Sequence, residues 1–179
     1  MKNIILGITG SIAAYRGAEL ANLLTKSGYS VNVIMTAGAR KFVTPLSFQT
    51  LTHNKVYTDL FDESFYEDVR HISLAQKADL ALVAPASANC LGKLAAGLAD
   101  DMLTTVVMAL GGKPVILCPA MNTAMYENPI VQENIKKLSG LNYKFVLPRE
   151  ARLACGDLGK GALADIQEIA EAVKALGNL

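Results

Sequence analysis

The feature that most constrains this chain is an alternation of apolar runs of strand length with longer amphipathic stretches, sustained from end to end of its 179 residues. Asn3–Thr9 reads as a buried strand and Ile12–Lys26 as a helix closed by Gly28. Ser30–Met35 is a second strand, in which Val31 and Val33 alternate, and Asp79–Ala84, Val115–Cys118 and Tyr143–Leu147 are a third, fourth and fifth. Helical stretches fall at Leu91–Ala96, Met102–Leu110, Pro129–Leu138 and Asp165–Leu176. Apolar strands without polar alternation, separated by helices, imply a parallel sheet covered on both faces. The expected fold class is therefore α/β, doubly wound. In such folds ligands sit at the carboxyl ends of the strands, so the residues after each strand are the ones to inspect.

Composition narrows the class further. Apolar residues make up 51% of the chain and charged residues 18%, enough apolar material for one core. The length is that of one domain, expected over residues 1–179. Seventeen basic against sixteen acidic residues leave a net charge of +1. That balance provides no broad electrostatic footprint for nucleic acid or an anionic membrane. A low charged fraction also points to apolar surface covered by another subunit. The three cysteines, Cys90, Cys118 and Cys155, have no CxxC spacing. No metal site and no disulfide framework is expected from them. The N-terminal apolar run is too short for a secretion signal, and no apolar run spans a bilayer, so a soluble cytoplasmic protein is expected.

After the first strand, Gly10, Ser11 and Ile12 lead into a helix. Outward N–H groups and the helix dipole suit a phosphate there, and a plain helix cap by Ser11 is the alternative. The GxGxxG dinucleotide spacing is missing, and no acidic residue ends the second strand, which argues against a nicotinamide dehydrogenase. Thr36 and Phe42 follow the second strand, as a ligand contact or as a cap and a core residue. Ser87, Ala88 and Asn89 follow the third, in a run of small residues that lets backbone approach a flat ligand. Asp100 and Asp101 fit a helix start better than a metal site. Met121 and Asn122 follow the fourth strand, where the asparagine is either a ligand donor or a cap. After the fifth, residues 149–163 hold Cys155 among glycines in a long loop of the kind that closes over ligands. On spacing alone, His71 reads as structural.

Together these segments resemble the flavin-containing cysteine decarboxylases. The pieces that carry the resemblance are GITGSIAAYR, His71 in HISLA, APASANCLGKLAAGLADDMLTT, PAMNTAMY and LACGDLGKGAL. It implies a flavodoxin-like (Rossmann-like) three-layer sandwich with FMN as cofactor. Gly10, Ser11, Thr36 and Ser87 would hold the phosphate and ribityl chain, with Phe42, Ala88 and Asn89 around the cofactor and Ile12 a further cofactor-binding residue. It makes His71 and Cys155 catalytic residues, and Asn122, with Met121 and Lys160, a substrate-binding set on which 149–163 acts as a flap. The implied reaction is loss of CO2 from 4'-phosphopantothenoylcysteine to give 4'-phosphopantetheine in coenzyme A biosynthesis. Transient oxidation of the thiol to a thioaldehyde creates the electron sink, and Cys155 donates a proton as the enethiol is reduced. Family members often carry arginine where Ala162 stands, which leaves Lys160 to supply that charge. The resemblance also implies a homotrimer or higher homo-oligomer such as a dodecamer, with sites between subunits, and a separate ligase protein. The other family readings are a peptidyl-cysteine decarboxylase and a non-catalytic flavin-binding regulatory subunit; a flavin prenyltransferase fits PAMN and ACGD poorly.

Overall fold

The structure, a computed structural model, describes residues 2–61, 70–152, 156 and 158–177. The flap cysteine, Cys155, lies outside the described residues. Six strands form one parallel sheet in the order β3-β2-β1-β4-β5-β6: β1 (Asn3–Ile8), β2 (Ser30–Met35), β3 (Val56–Tyr57), β4 (Leu80–Ala86), β5 (Val115–Pro119) and β6 (Lys144–Phe145). This is the doubly wound order, whose direction reverses between β1 and β4. The expected parallel α/β sandwich is the one found.

The alternation of each strand sorts its side chains to the two faces. Ile4, Leu6 and Ile8 of β1 enter one buried cluster with Leu20 and Leu24 of α1 (Ala14–Lys26), Phe48 of α2 (Pro45–Thr52), and Ile169 and Val173 of α8 (Ile166–Gly177). Ile5 enters the other, with residues of α3 (Arg70–Lys77), α4 (Ala88–Ala96), α5 (Met102–Met108) and α7 (Pro129–Gly140). The short α6 (Thr123–Glu127) follows β5, and β7 (Arg149–Arg152) pairs antiparallel with β8 (Leu158–Ala162) in a separate two-stranded sheet.

Three local differences from the sequence expectations have physical causes. Helix α1 starts at Ala14 rather than Ile12, because Ser11 to Ala13 form a turn in which the Ser11 hydroxyl accepts from the Ala13 N–H at 3.3 Å. Helix α4 starts early, at Ala88, because the Ser87 hydroxyl caps it by accepting from the Cys90 N–H at 3.3 Å. The fifth expected strand shrinks to Lys144–Phe145 at the sheet edge, where it has one neighbour. Strand β4 also changes register between Val83 and Ala86, around a cis Ala84–Pro85 peptide.

Candidate active site

The reversal of strand order leaves a crevice where β1 and β4 end, and the cavity of about 540 Å³ lies there. That size is ordinary for a small-molecule site, roughly 300–1,000 Å³. Its floor is built from Gly10, Ser11 and Ile12 after β1, Phe42, and Ser87 and Ala88 after β4. Its far side is Met121 and Asn122 after β5, and its roof is the β7–β8 hairpin through Ala151, Arg152, Gly161 and Ala162.

The floor brings backbones unusually close. A Cβ on Gly10 would stand 3.2 Å from the Gly38 Cα, and one on Gly38 would stand 3.1 Å from the Gly10 Cα. The turns after β1 and β2 therefore touch main chain to main chain. The roof docks in the same way. The Met121 N–H donates to the Gly161 carbonyl at 3.0 Å. A Cβ on Gly161 would collide with the Met121 carbonyl, and one on Gly159 with the Thr123 hydroxyl. That hydroxyl is buried and has no hydrogen-bond partner among the described residues.

The lining carries three arginines, Arg16, Arg149 and Arg152, and no carboxylate among the described residues. Two of them converge from distant parts of the chain. An Arg16 Nη donates to the Leu163 carbonyl at 3.5 Å, and Arg149 Nε donates to the same oxygen at 3.2 Å. Both approach the Asp165 carboxylate, at 3.7 and 3.6 Å. The cavity thus offers a local excess of positive charge within a nearly neutral chain.

Of the residues expected at the site, the cavity gathers Gly10, Ser11, Ile12, Phe42, Ser87, Ala88, Met121 and Asn122. The Asn122 side chain also caps α6, its Oδ1 accepting from the Ala124 N–H at 2.9 Å. Four others stand elsewhere. The Thr36 hydroxyl accepts from the Ala39 N–H at 3.3 Å, at the start of a short 3-10 turn, Ala39–Lys41. Asn89 is exposed on α4, and His71 is half-buried on α3 without lining this chain's cavity. Lys160 holds its Nζ 5.8 Å from the centre of the Tyr126 ring. Arg16 and Arg149 were not expected from the sequence. Arg16 does carry a signal, because a cation in the first turn of a helix opposes the dipole.

Both described cysteines, Cys90 and Cys118, are buried free thiols. Burial, with the Asp101 carboxylate adding to it and Lys93 opposing, pushes the Cys90 thiol up to about 12. Burial likewise pushes Cys118 up. Among the described residues no cluster of histidine, cysteine and carboxylate could hold a metal ion, and no helix is long and apolar enough to cross a membrane.

The residues present fit a flavin mononucleotide. Ser11 and Ser87 put hydroxyls at two strand ends, the Gly10–Gly38 contact leaves bare backbone at Gly10, and Ile12, Phe42 and Ala88 offer apolar surface to a flat ring. A phosphorylated ligand meets no opposing carboxylate in the described lining. A doubly wound sheet with such a cradle at its switch point is the architecture of a mononucleotide-binding protein. Residues 1–177 match the family model described as Flavoprotein. The chain is 49% identical over 174 residues to a probable phosphopantothenoylcysteine decarboxylase of Streptococcus mutans serotype c, covering 97% of each. It is 47% identical over 168 residues to the coenzyme A biosynthesis bifunctional protein CoaBC of Bacillus subtilis, covering 94% of this chain but only 41% of that relative. Among solved structures it is similar to a cysteine-to-serine mutant of PPC decarboxylase complexed with pantothenoylaminoethenethiol, with a TM-score of 0.89, 32% identity and 99% of both chains covered. It is also similar to the FMN binding protein AtHal3, with a TM-score of 0.87, 33% identity, and 99% and 97% of the two chains covered. The chain belongs to the Flavoprotein family.

Proposed function

We propose that this chain is an FMN-dependent decarboxylase that converts 4'-phosphopantothenoylcysteine to 4'-phosphopantetheine in coenzyme A biosynthesis. The observation that carries the proposal is the cavity itself: strand-end hydroxyls, Asn122 and three arginines face one space, with no carboxylate in the described lining. The names of similar relatives agree with it.

A bound flavin would supply a reversible two-electron sink for the cysteinyl thiol side of the substrate, and would be used without being consumed. The chain's own residues do the rest. Ser11 and Ser87 hold the cofactor's phosphate and ribityl chain, and Phe42 and Ala88 exclude water from the ring. Asn122 donates to the substrate carboxylate until it leaves. Arg16 and Arg149 hold the substrate's phosphate through charge-assisted hydrogen bonds. Met121 anchors the hairpin, which serves as a substrate flap closing water out. Cys155 gives the final proton and His71 assists proton transfer. Lys160, on β8, supports the flap through Tyr126.

The working form is a homotrimer or higher homo-oligomer in the cytoplasm, with His71 of one copy serving the cavity of its neighbour. Two observations support this: His71 stands off the cavity of its own chain, and Ile12, Tyr15, Phe42 and Met125 leave apolar surface exposed around it. The deciding experiment is anaerobic turnover of 4'-phosphopantothenoylcysteine followed by product mass. The unchanged protein should release CO2 and 4'-phosphopantetheine. Cys155→Ser should keep its flavin, oxidise the substrate and stop at the enethiol. Full turnover by that variant would remove Cys155 from the chemistry, and a colourless protein that takes up no FMN would overturn the proposal. Mixing His71→Asn with Cys155→Ser protomers should restore turnover if neighbouring copies share the site.

A further inference from the structure

Thr9 sits behind the cavity rather than in it, and it is 1% exposed. Its hydroxyl donates to the Pro85 carbonyl at 2.7 Å and accepts from the Ser87 N–H at 2.8 Å. The irregularity of β4 explains why these groups need it. The β1–β4 ladder runs in register from Ile4↔Leu80 to Gly7↔Val83 and ends there, and beyond Val83 the pairing of β4 with β5 shifts register before Ala86. Proline has no N–H, and strand interiors tolerate it at bulges because ladder bonds are lost there. A buried carbonyl and N–H freed in this way must find other partners. A threonine hydroxyl is donor and acceptor at once, so a single atom satisfies both. On its own side, the Thr9 carbonyl accepts from the Ser11 N–H at 2.9 Å. One residue therefore fastens the Gly10–Ser11 turn to the Ser87–Ala88 turn, the two halves of the cavity floor.

We propose that Thr9 is a positioning residue for the flavin: its hydroxyl sets the separation of the Ser11 and Ser87 turns at which the cofactor binds. The proposal rests on the flavin reading of the cavity. Valine at this position keeps the shape and loses both hydrogen bonds, whereas serine keeps both. A loss confined to stability would mark Thr9 as structural only, so the test measures flavin affinity against stability.

The measurement is titration of apo-protein with FMN, followed by flavin fluorescence, with thermal melting of the same samples. Thr9→Val should weaken FMN binding about tenfold or more, in keeping with the loss of buried hydrogen bonds, and Thr9→Ser should stay within about threefold. The control is Thr52→Val. Thr52 is also buried, at 4% exposure, and its hydroxyl donates to the Phe48 carbonyl at 2.9 Å, but it does not line the cavity. It should lower the melting temperature and leave FMN affinity unchanged. If Thr9→Val does not fold, Thr9→Cys, whose thiol is a weak hydrogen-bonding group, takes its place under the same thresholds. Unchanged FMN affinity in the hydroxyl-less variant, or an equal loss in Thr52→Val, would overturn the proposal. Failure of the unchanged protein to bind FMN would overturn the flavin reading and this inference with it.

Discussion

The floor and the roof of the cavity are made differently. The floor hangs from the central strands of a six-stranded sheet, and its turns are tied by hydrogen bonds at Thr9, Ser11 and Ser87. The roof is a two-stranded hairpin outside that sheet, with Leu158 at 75% exposure. It is held by the Met121–Gly161 hydrogen bond, by Arg149 on the Leu163 carbonyl, and by the long ion pair to Asp165. An isolated hairpin is marginally stable in water, and docking leaves the Thr123 hydroxyl dehydrated with no described partner, which opposes closing. The difference teaches a division of labour. A resident cofactor suits the fixed floor, and a substrate that must enter and leave suits a roof with a low cost of opening.

The sharpest way to break this comparison is Gly161→Val. The branched side chain meets the Met121 carbonyl and lifts the hairpin without touching the floor. Turnover should fall about 100-fold or more, the scale on which small misplacements act in an active site, while FMN affinity stays within about threefold. Parallel loss of the flavin would mean that the hairpin is part of the cofactor site. The next effect is smaller. Arg16 is 17% exposed and belongs to α1, not to the hairpin, so it acts from the fixed side. Arg16→Ala should raise KM for the phosphorylated substrate about tenfold, in line with loss of a charge-assisted contact. The unphosphorylated analogue should change less than about threefold. Equal effects on both substrates would take Arg16 off the phosphate.

The floor and far side are far more legible in the sequence than the roof, for physical reasons. Gly10, Ser11, Ser87, Ala88, Met121 and Asn122 are found by one local rule, that ligands lie where parallel strands end. Each follows an apolar run long enough to recognise. The hairpin has no such run. Residues 149–152 and 158–162 carry Glu150, Arg152 and Lys160 on exposed positions and lack apolar alternation, so they read as loop. What makes them a hairpin is docking on Met121–Thr123, where glycine lets backbone meet backbone. That complementarity is invisible to periodicity. Strand β3 is two residues long, too short for any period. Arg149 was missed because it gains meaning only beside Arg16, and those two residues meet through Leu163 and Asp165.

The smallest expected effect tests whether the floor is set near the cavity or at the far end of α4. There Lys93 Nζ lies 2.6 Å from Asp100 Oδ1 and 2.9 Å from Asp101 Oδ2. Asp101 Oδ1 accepts from the Thr104 N–H at 2.9 Å, and the Thr104 hydroxyl accepts from the Asp101 N–H, closing a capping box on α5. Burial alone would raise the Asp101 carboxyl, but the Thr104 N–H, Lys93 and the Thr104 hydroxyl outweigh it and hold it below the usual carboxylate range. A carboxyl depressed on folding stabilises the native state above its unfolded pKa, about 3.9 for aspartate, and loses that contribution as pH falls through the lower folded value. Melting temperature should therefore decline below about pH 4. Asparagine is as good a cap as aspartate but carries no charge. Asp101→Asn should thus destabilise by less than about 1 kcal/mol at pH 7 and flatten the acid decline, as thermal melts at pH 7, 4 and 3 would record. Flavin affinity at pH 7 should stay within about twofold, because the Ser87 N–H is held by Thr9 and not by the far end of its helix. A larger loss of flavin from Asp101→Asn than from Thr9→Val would place control of the floor at the Lys93 cluster instead.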